Sequence, residues 1–349
     1  MSVSVYSSFD ELSDDDIDLL SYRNRGNVFD SVEWFRCLVD QNIFEGKETR
    51  IYTSGAGDAA GCFLFLVGDS ATRTLSSMTN FYTMEFSPIF ADETSPDPAL
   101  INEIFEHIAN EVPKWETINL RLLYERAVAT NGVLDAISSA GFHPSPYFMF
   151  ENYFANLDGN SFADYYALRS SRVKNTIKRR EKKLAKTHEF SVRIFRDFDD
   201  GGIDDYNAVY ENSWKDSEQF PEFIREMCRQ CATLGILRMG VLYVDGTAVA
   251  AQLWILSGCK AVIYKLAYDE AFKEFSVGSI LTRDMLEHVL ENDDVDEIDY
   301  GVGSENYKKD WMDQTRTLIG LEAFNRRTLA GKFRIFRARV AKLLRKPAD

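Results

Sequence analysis

Apolar positions recur along this chain with two periods, and the change from one to the other sets the order of elements. Val241 to Val244 and Ala248 to Ile255 are apolar runs of strand length. The Asp245-Gly246 between them is the dipeptide that favours a tight hairpin turn, so the two runs should pair antiparallel. Ala261 to Tyr268 continues the same sheet. Ser276-Val277-Gly278-Ser279 then leads into Ile280 to Leu290, where Leu281, Met285 and Val289 return every fourth residue and predict a buried helix. A short strand ending Ile298-Asp299-Tyr300 follows.

The first half reads in the same alternation. Ser13 to Leu20, with an acidic opening turn, and Val32 to Val39 are short helices. Arg50 to Thr53, Cys62 to Val67, Arg73 to Met78 and Tyr82 to Phe86 are strands. Ala99 to Glu111 is a helix ended near Pro113. Strand Thr117 to Leu123, helix Val128 to Ala140, a break at Gly141-Phe142-His143-Pro144 and strand Tyr147 to Leu157 complete this half. From Phe162 the composition turns basic, and Arg169 to Lys186 predicts a helix with sparse apolar positions at Val173, Ile177 and Leu184. Strand Phe190 to Phe195 precedes helices over Asp204 to Lys215 and Phe220 to Thr233, whose Tyr210, Trp214, Phe223 and Met227 read as core. At the end, Leu329, Phe333, Phe336, Val340 and Leu343 form an apolar stripe among Arg334, Arg337, Arg339, Lys342, Arg345 and Lys346. That basic amphipathic helix would dock on the second half of the chain or rest on an anionic membrane surface. The fold class is α/β with mixed sheets. The predicted parts are 1–157, 158–325 and a terminal helix over 326–349.

Composition narrows the chemistry. With 349 residues and 45% hydrophobic content the chain can bury two cores. A net charge of −15 opposes nonspecific binding to DNA over the whole surface, so any nucleic-acid contact must be local. The start, MSVSVYSSFDELSDDD, turns acidic where a secretory signal needs a basic and then an apolar region, and no run reaches membrane-spanning length. A cytoplasmic location is expected. Cys228-Arg229-Gln230-Cys231 is the one CxxC, the histidines form no HExxH, and no metal site is expected. Gly55-Ala56-Gly57-Asp58-Ala59-Ala60-Gly61 superficially resembles a nucleotide loop, but it runs into the strand CFLFLV rather than opening a helix and reads as a turn.

Three features carry candidate chemistry. The small residues at Gly278 and Ser279 open a helix whose first amides could meet a phosphate, or they simply form a cap. The aromatic run Phe81-Tyr82-Thr83-Met84-Glu85-Phe86 could line an acceptor pocket or pack in a core. The basic helix, with Arg172 and Lys174 in its first turn, could attract phosphate or present a solvated face.

Hairpin, third strand, small-residue helix start, strand and then Tyr307-Lys308 in GVGSENYKKDW together resemble the GNAT acyltransferase superfamily. The resemblance is to its double-GNAT branch, which includes Fem-type aminoacyltransferases and cellulose-biosynthesis-associated acetyltransferase-like proteins. Where that branch usually reads Ser-Pro-Gly, this chain has Ser276-Val277-Gly278, and Ser170-Ser171-Arg172-Val173-Lys174-Asn175 also looks like it. The likeness implies two tandem GNAT-like units, with acyl-CoA (acetyl-CoA) as co-substrate and no metal. It further implies that Ala248 to Ile255 and Ala261 to Tyr268 splay to grip the pantetheine arm, including Leu266 and Tyr268, while Val277, Gly278, Ser279 and Ile280 hold its phosphates. Lys308 would steady charge at the reaction centre, with Asp299, Glu305, Tyr300 or Tyr307 moving the amine proton. Arg172, Lys174, Tyr82 and Tyr264 are the acceptor-side candidates. The expected activity is acyl transfer to an amine of an envelope sugar, polysaccharide precursor or small metabolite. A Fem-like enzyme using aminoacyl-tRNA and a non-catalytic adaptor are the alternatives.

Overall fold

Asp245 and Gly246 both take positive φ, 48° and 81°, the left-handed pair that a two-residue hairpin turn requires. They join strands Leu237–Val244 and Thr247–Ser257, which pair antiparallel as the sequence leads one to expect. The computed structural model describes residues 2–55, 60–159, 161–303 and 305–344. The chain divides into two units. Unit 1 takes Met1–Arg25, Phe29–Phe150 and Thr317–Asp349; unit 2 takes Gly26–Val28 and Glu151–Arg316. The predicted boundary near 157 thus falls at 150, and residues 317–349 group with unit 1.

In chain order the first elements are β1 (Ser2–Tyr6), α1 (Asp14–Leu20), α2 (Tyr22–Arg25), α3 (Val32–Asp40), β2 (Glu48–Gly55), β3 (Cys62–Asp69), β4 (Thr74–Ser77) and β5 (Ile89–Phe90). There follow α4 (Pro98–Asn110), β6 (Thr117–Tyr124), α5 (Val128–Ser139) and β7 (Phe142–Asn156), which runs from unit 1 into unit 2. Next come α6 (Phe162–Leu168), α7 (Ser171–Thr187), β8 (Phe190–Phe195), α8 (Asp200–Glu211), α9 (Pro221–Thr233), β9 (Leu237–Val244), β10 (Thr247–Ser257), β11 (Lys260–Tyr268), α10 (Val277–Asn292) and β12 (Glu297–Asp299). The chain returns to unit 1 along β13 (Gln314–Asn325) and ends its described part in α11 (Leu329–Leu344).

The strands of the two units share one pattern. Unit 1 runs β1-β2-β3-β4-β6-β13, antiparallel throughout except for the parallel pair β4 and β6, with β5 added on β3. Unit 2 runs β8-β9-β10-β11-β12-β7, antiparallel except for the parallel pair β11 and β12. In each the parallel step encloses a helix, α4 in unit 1 and α10 in unit 2, as a parallel crossover needs. The core of unit 2 lies between its sheet and α7 and α10: Val173, Ile177 and Leu184 meet Ile280, Leu281, Met285 and Val289 there, so the fourfold recurrence in α10 does mark its buried face.

The structure departs from the sequence reading in several places. Tyr82 to Phe86 is buried but forms no strand: the chain turns at Phe81-Tyr82, where the Asn80 side chain accepts from the Tyr82 amide at 2.9 Å, and 83–86 is irregular. The break at Gly141 to Pro144 is a strand start. Pro144 and Pro146, two apart, lack N–H groups on the same side of β7 and are tolerated there. The run after Phe162 is two helices, parted at Arg169 and Ser170, where Ser170 caps α7. Helix α8 begins at Asp200 and stops at Glu211, leaving Trp214 and Lys215 beyond it. β1 and β13 went unpredicted. Residues 56–59 of the glycine-rich loop, Ser304, and Arg345 and Lys346 of the terminal stripe lie outside the described residues, as do the side chains of Arg339, Lys342 and Leu343.

Gly240 on β9 sets how closely α10 approaches the sheet. A Cβ there would overlap the Met285 thioether and come to 3.1 Å from Leu281 Cδ1, both fully buried. Gly240→Val should therefore lower unfolding stability by about 1–3 kcal/mol, the usual penalty for overpacking. A urea midpoint equal to that of the wild type would refute this packing account.

Candidate active site

Strands β11 and β12 pair only at Lys260 with Glu297, Ala261 with Ile298 and Val262 with Asp299. Beyond that point Gly301 and Gly303, at φ 62° and 99°, turn the chain away from β12's line. Among the described residues, β11 from Ile263 to Tyr268 then has no strand partner on that side. The divergence expected between β10 and β11 lies here instead: those two stay paired from Ala250 with Tyr268 to Ser257 with Lys260, with one bulge near Trp254. A hairpin closed by a short turn cannot open at its paired end.

A cavity of ≈ 550 Å³ occupies the gap. Leu266 and Tyr268 of β11 form one wall; Ser276, just before α10, and Val277, Gly278, Ser279 and Thr282 of α10 form its floor. Arg172, Val173, Thr176 and Ile177 of α7, then Tyr300, Tyr307, Asp310 and Trp311, close the remaining sides with Trp214 and Lys273. Ser276 takes a left-handed conformation, φ 55° and ψ 40°, and gives no side-chain cap to α10. Its carbonyl accepts from the Ser279 and Ile280 amides at 3.0 and 3.1 Å. Among the described residues, no acceptor is bonded to the amides of Val277 and Gly278, so the helix start presents two donors and its positive dipole end. A Cβ on Gly278 would lie 3.1 Å from Tyr268 Cδ1, on the wall of this cavity. Gln252, buried on β10, fixes the first turn: its Nε2 donates to the Gly278 carbonyl at 3.1 Å and to Thr282 Oγ1 at 2.8 Å, while its Oε1 accepts from Trp254 Nε1 at 2.8 Å.

Of the residues singled out from sequence, Arg172, Leu266, Tyr268, Val277, Gly278, Ser279, Tyr300 and Tyr307 line this cavity. The others stand elsewhere. Ile280 points into the core. Tyr82 is buried in unit 1, and Tyr264 is buried in unit 2 outside the cavity wall. Lys174 donates to the Ala167 carbonyl at 2.6 Å. Asp299 is fully engaged: Oδ1 accepts from Asn152 at 2.6 Å and from the Gly301 amide at 2.7 Å, and Oδ2 pairs with Arg316, which also grips Glu297. That carboxylate orients the strand end.

Lys308, expected at the reaction centre, is 3% exposed and lies outside the cavity wall. Its ammonium donates to the Val302 carbonyl at 2.5 Å and the Gly303 carbonyl at 3.0 Å, and it pairs with Glu305 at 2.9 Å. Those contacts use all three donors of an ammonium, so Lys308 ties Val302, Gly303 and Glu305 together beside the Tyr300 ring. Burial lowers its pKa, with Glu305 opposing; burial raises Glu305, but the Lys308 partner holds it below the usual glutamate range. Tyr300 is buried, so its phenol titrates well above the usual range, and it hydrogen-bonds Thr282. Tyr307, 41% exposed at the cavity edge, packs edge-on against Tyr300 at 5.6 Å and is likewise pushed up, first by burial and then by Glu305. Both remain neutral hydroxyl donors at ordinary pH.

A further cluster went unread. Trp214 packs against Tyr268 with ring centroids 4.6 Å apart and planes tilted by 43°, and Lys215 beside it lies 5.6 Å from the Tyr210 ring, near Lys265, which pairs with Glu218. Burial, and then the Lys265 charge, lower the Lys215 pKa from 10.5 to about 8. Nothing in the sequence spacing marks this lysine, because its neighbours come from a helix end and a strand.

Residues 171–309 match the family described as acetyltransferase (GNAT) domain. No curated protein matches the chain. Among solved structures it is similar to FemX, at 9% identity and a TM-score of 0.60 over 88% of this chain and 93% of that one. It is also similar to the C-terminal domain of a proposed lysylphosphatidylglycerol synthetase from Agrobacterium fabrum (13%, 0.56, 93% and 96%) and to L-PGS from Bacillus licheniformis (10%, 0.53, 95% and 98%). Residues 171–309, within unit 2, thus match a GNAT domain, and the whole chain shares its fold with these solved structures.

Two outcomes test the electrostatics. Between pH 8 and 10.5 the unfolded chain keeps the Lys215 proton that the folded chain has lost, so the wild type should gain stability with rising pH relative to Lys215→Met. Parallel melting-temperature profiles for the two proteins across that window would contradict this. Lys308→Met should leave the Val302 and Gly303 carbonyls without their donor and raise amide exchange across 302–307 at least about tenfold, equivalent to roughly 1.4 kcal/mol of lost closure. Unaltered protection there would mean that the loop stands without the lysine.

Proposed function

We propose that this chain, whose unit 2 carries a GNAT domain, transfers an acyl group from acyl-CoA to the amine of a small or carrier-linked acceptor. The observation that carries the reading is the gap between β11 and β12. It combines an unpaired strand edge, a wall of Leu266 and Tyr268, and the uncapped start of α10 in one cavity. A strand edge suits an amide-bearing arm, and the Val277 and Gly278 amides suit its phosphates. A thioester supplies an activated carbonyl and a thiolate leaving group.

The residues then divide the work. The cavity wall holds the donor carbonyl where the acceptor nitrogen can reach it. As the C–N bond forms and the C–S bond breaks, the departing sulfur takes a proton from the Tyr307 hydroxyl, which stays protonated for that purpose. The nitrogen gives up its proton to solvent water at the cavity mouth; Lys215 adjoins Trp214 of the cavity wall without lining the cavity itself. Lys308 acts at one remove, by holding the loop that positions Tyr307.

A second reading has its own observation. The outer face of α7 sets Lys178, Arg179, Lys182, Lys183 and Lys186 around a shallow groove of about 460 Å³, which favours a larger phosphorylated donor such as aminoacyl-tRNA.

Calorimetry with acetyl-CoA separates the two. Binding is expected for the wild type and should weaken at least about tenfold in Gly278→Asp, whose carboxylate would face the donor phosphates. Absence of heat at millimolar acetyl-CoA, together with retention of aminoacyl-tRNA on a filter, would replace the first reading by the second.

A further inference from the structure

The terminal helix α11 has an inner and an outer face. On the inner side Gly331 is buried where any side chain would strike the Asn325 carbonyl, its amide donates to Thr328 Oγ1 at 3.0 Å, and Arg334 donates to Thr117 on β6. The helix is held to unit 1 by that side. Outward it turns Leu329, Phe333 and Phe336, which are 86%, 60% and 64% exposed. Spacings of four and three place them in one stripe. Lys332 and Arg337 are exposed beside it, and between Glu322 and Asp349 the sequence contains no acidic residue. In a chain of net charge −15 this is a local reversal of sign around an apolar ridge.

We propose that the outer face of α11 is a docking surface for an anionic lipid bilayer, on which the helix lies flat. Large apolar side chains flanked by cations, with the polar inner side tied down, are what an interfacial helix requires. Its 16 residues span ~24 Å, short of the ~30 Å hydrocarbon layer, and among the described residues no helix is long and apolar enough to cross a membrane. A second copy paired through the same ridge would set the cationic rims against each other, which costs rather than stabilises. A nucleic-acid backbone would meet the lysines and arginines but would leave the Phe333 and Phe336 rings without apolar cover. This inference does not rest on the transferase reading.

The test is flotation of the full chain with vesicles of phosphatidylcholine alone and of phosphatidylcholine mixed equally with phosphatidylglycerol. The wild type should float only with the mixed vesicles, and ~1 M salt, which cuts the screening length to about 3 Å, should weaken that association. Replacing both aromatic residues (Phe333→Ser with Phe336→Ser) should reduce the bound fraction at least about tenfold while leaving the melting temperature unchanged, since neither ring is buried. Failure of the wild type to float, flotation of the double variant like the wild type, or a dimer in sedimentation that the double variant abolishes would each overturn the proposal.

Discussion

The hydrogen bonds that Gln252 makes from the middle of β10 decide where everything in the cavity stands. A primary amide inside a sheet is costly unless both its ends are used. Here Nε2 reaches the Gly278 carbonyl and Thr282, and Oε1 takes the Trp254 indole proton. Thr282 closes the set by donating back to the Gly278 carbonyl at 3.0 Å and by meeting the Tyr300 hydroxyl. Strand, helix start and the tyrosine after β12 are thus fixed by one polar cluster in an otherwise apolar core. The left-handed Ser276 is the strained partner in this arrangement, at a cost of roughly 1–2 kcal/mol, and it leaves the first amides of α10 without a side-chain cap.

Unit 1 shows the same strand pattern, with its parallel pair likewise joined at three positions, but a different helix start. Its corresponding helix, α4, starts at Pro98, which has no N–H, and its cap is Asp97, whose carboxylate accepts from the Ala99 amide at 2.9 Å. A negative group already sits where a phosphate would have to come. The equivalent place in unit 2 has glycine, serine and an uncapped turn, so the asymmetry between units follows from a few residues at one helix end. The fold sets the position of an anion site, and local chemistry decides whether it exists.

How much of this was legible in the sequence depended on the range of the interactions. The Asp245-Gly246 turn, the buried face of α10 and the sparse apolar positions of α7 are set within a few residues, and the sequence reading of them stands. β13 escaped notice because QTRTLIGLEAFN carries charges and a glycine, and its strand character comes from pairing with β6 far away in sequence. Tyr82 to Phe86 alternates like a strand, yet the chain turns at its start, where Asn80 takes the Tyr82 amide, and the rest is irregular. At the site, the small residues of the helix start and the two tyrosines could be read from their positions. Lys308 was assigned on resemblance to an open reaction centre, while its surroundings, two glycine-rich carbonyls and a glutamate, make it a loop clamp. Lys215 could not be read at all, since its lowered proton affinity is the joint effect of burial and of Lys265 on another element.

The order of elements also has a consequence for how unit 1 completes itself. Apart from Gly26–Val28, unit 2 is one continuous stretch, Glu151–Arg316, and it interrupts unit 1 between β7 and β13. Every strand pair of unit 2 can form within that stretch. β6, by contrast, keeps an open edge until β13 arrives, and the Asn325 to Trp115 hydrogen bond that accompanies the pairing bridges 210 residues. Pairings of such separation are slow and expose strand edges meanwhile. Because α11 follows β13 after a short turn and donates to Thr117 at the start of β6, the helix ties the end of the last strand to the strand it pairs with. A force or a surface that engages α11 therefore acts directly on the strand that closes the unit 1 sheet.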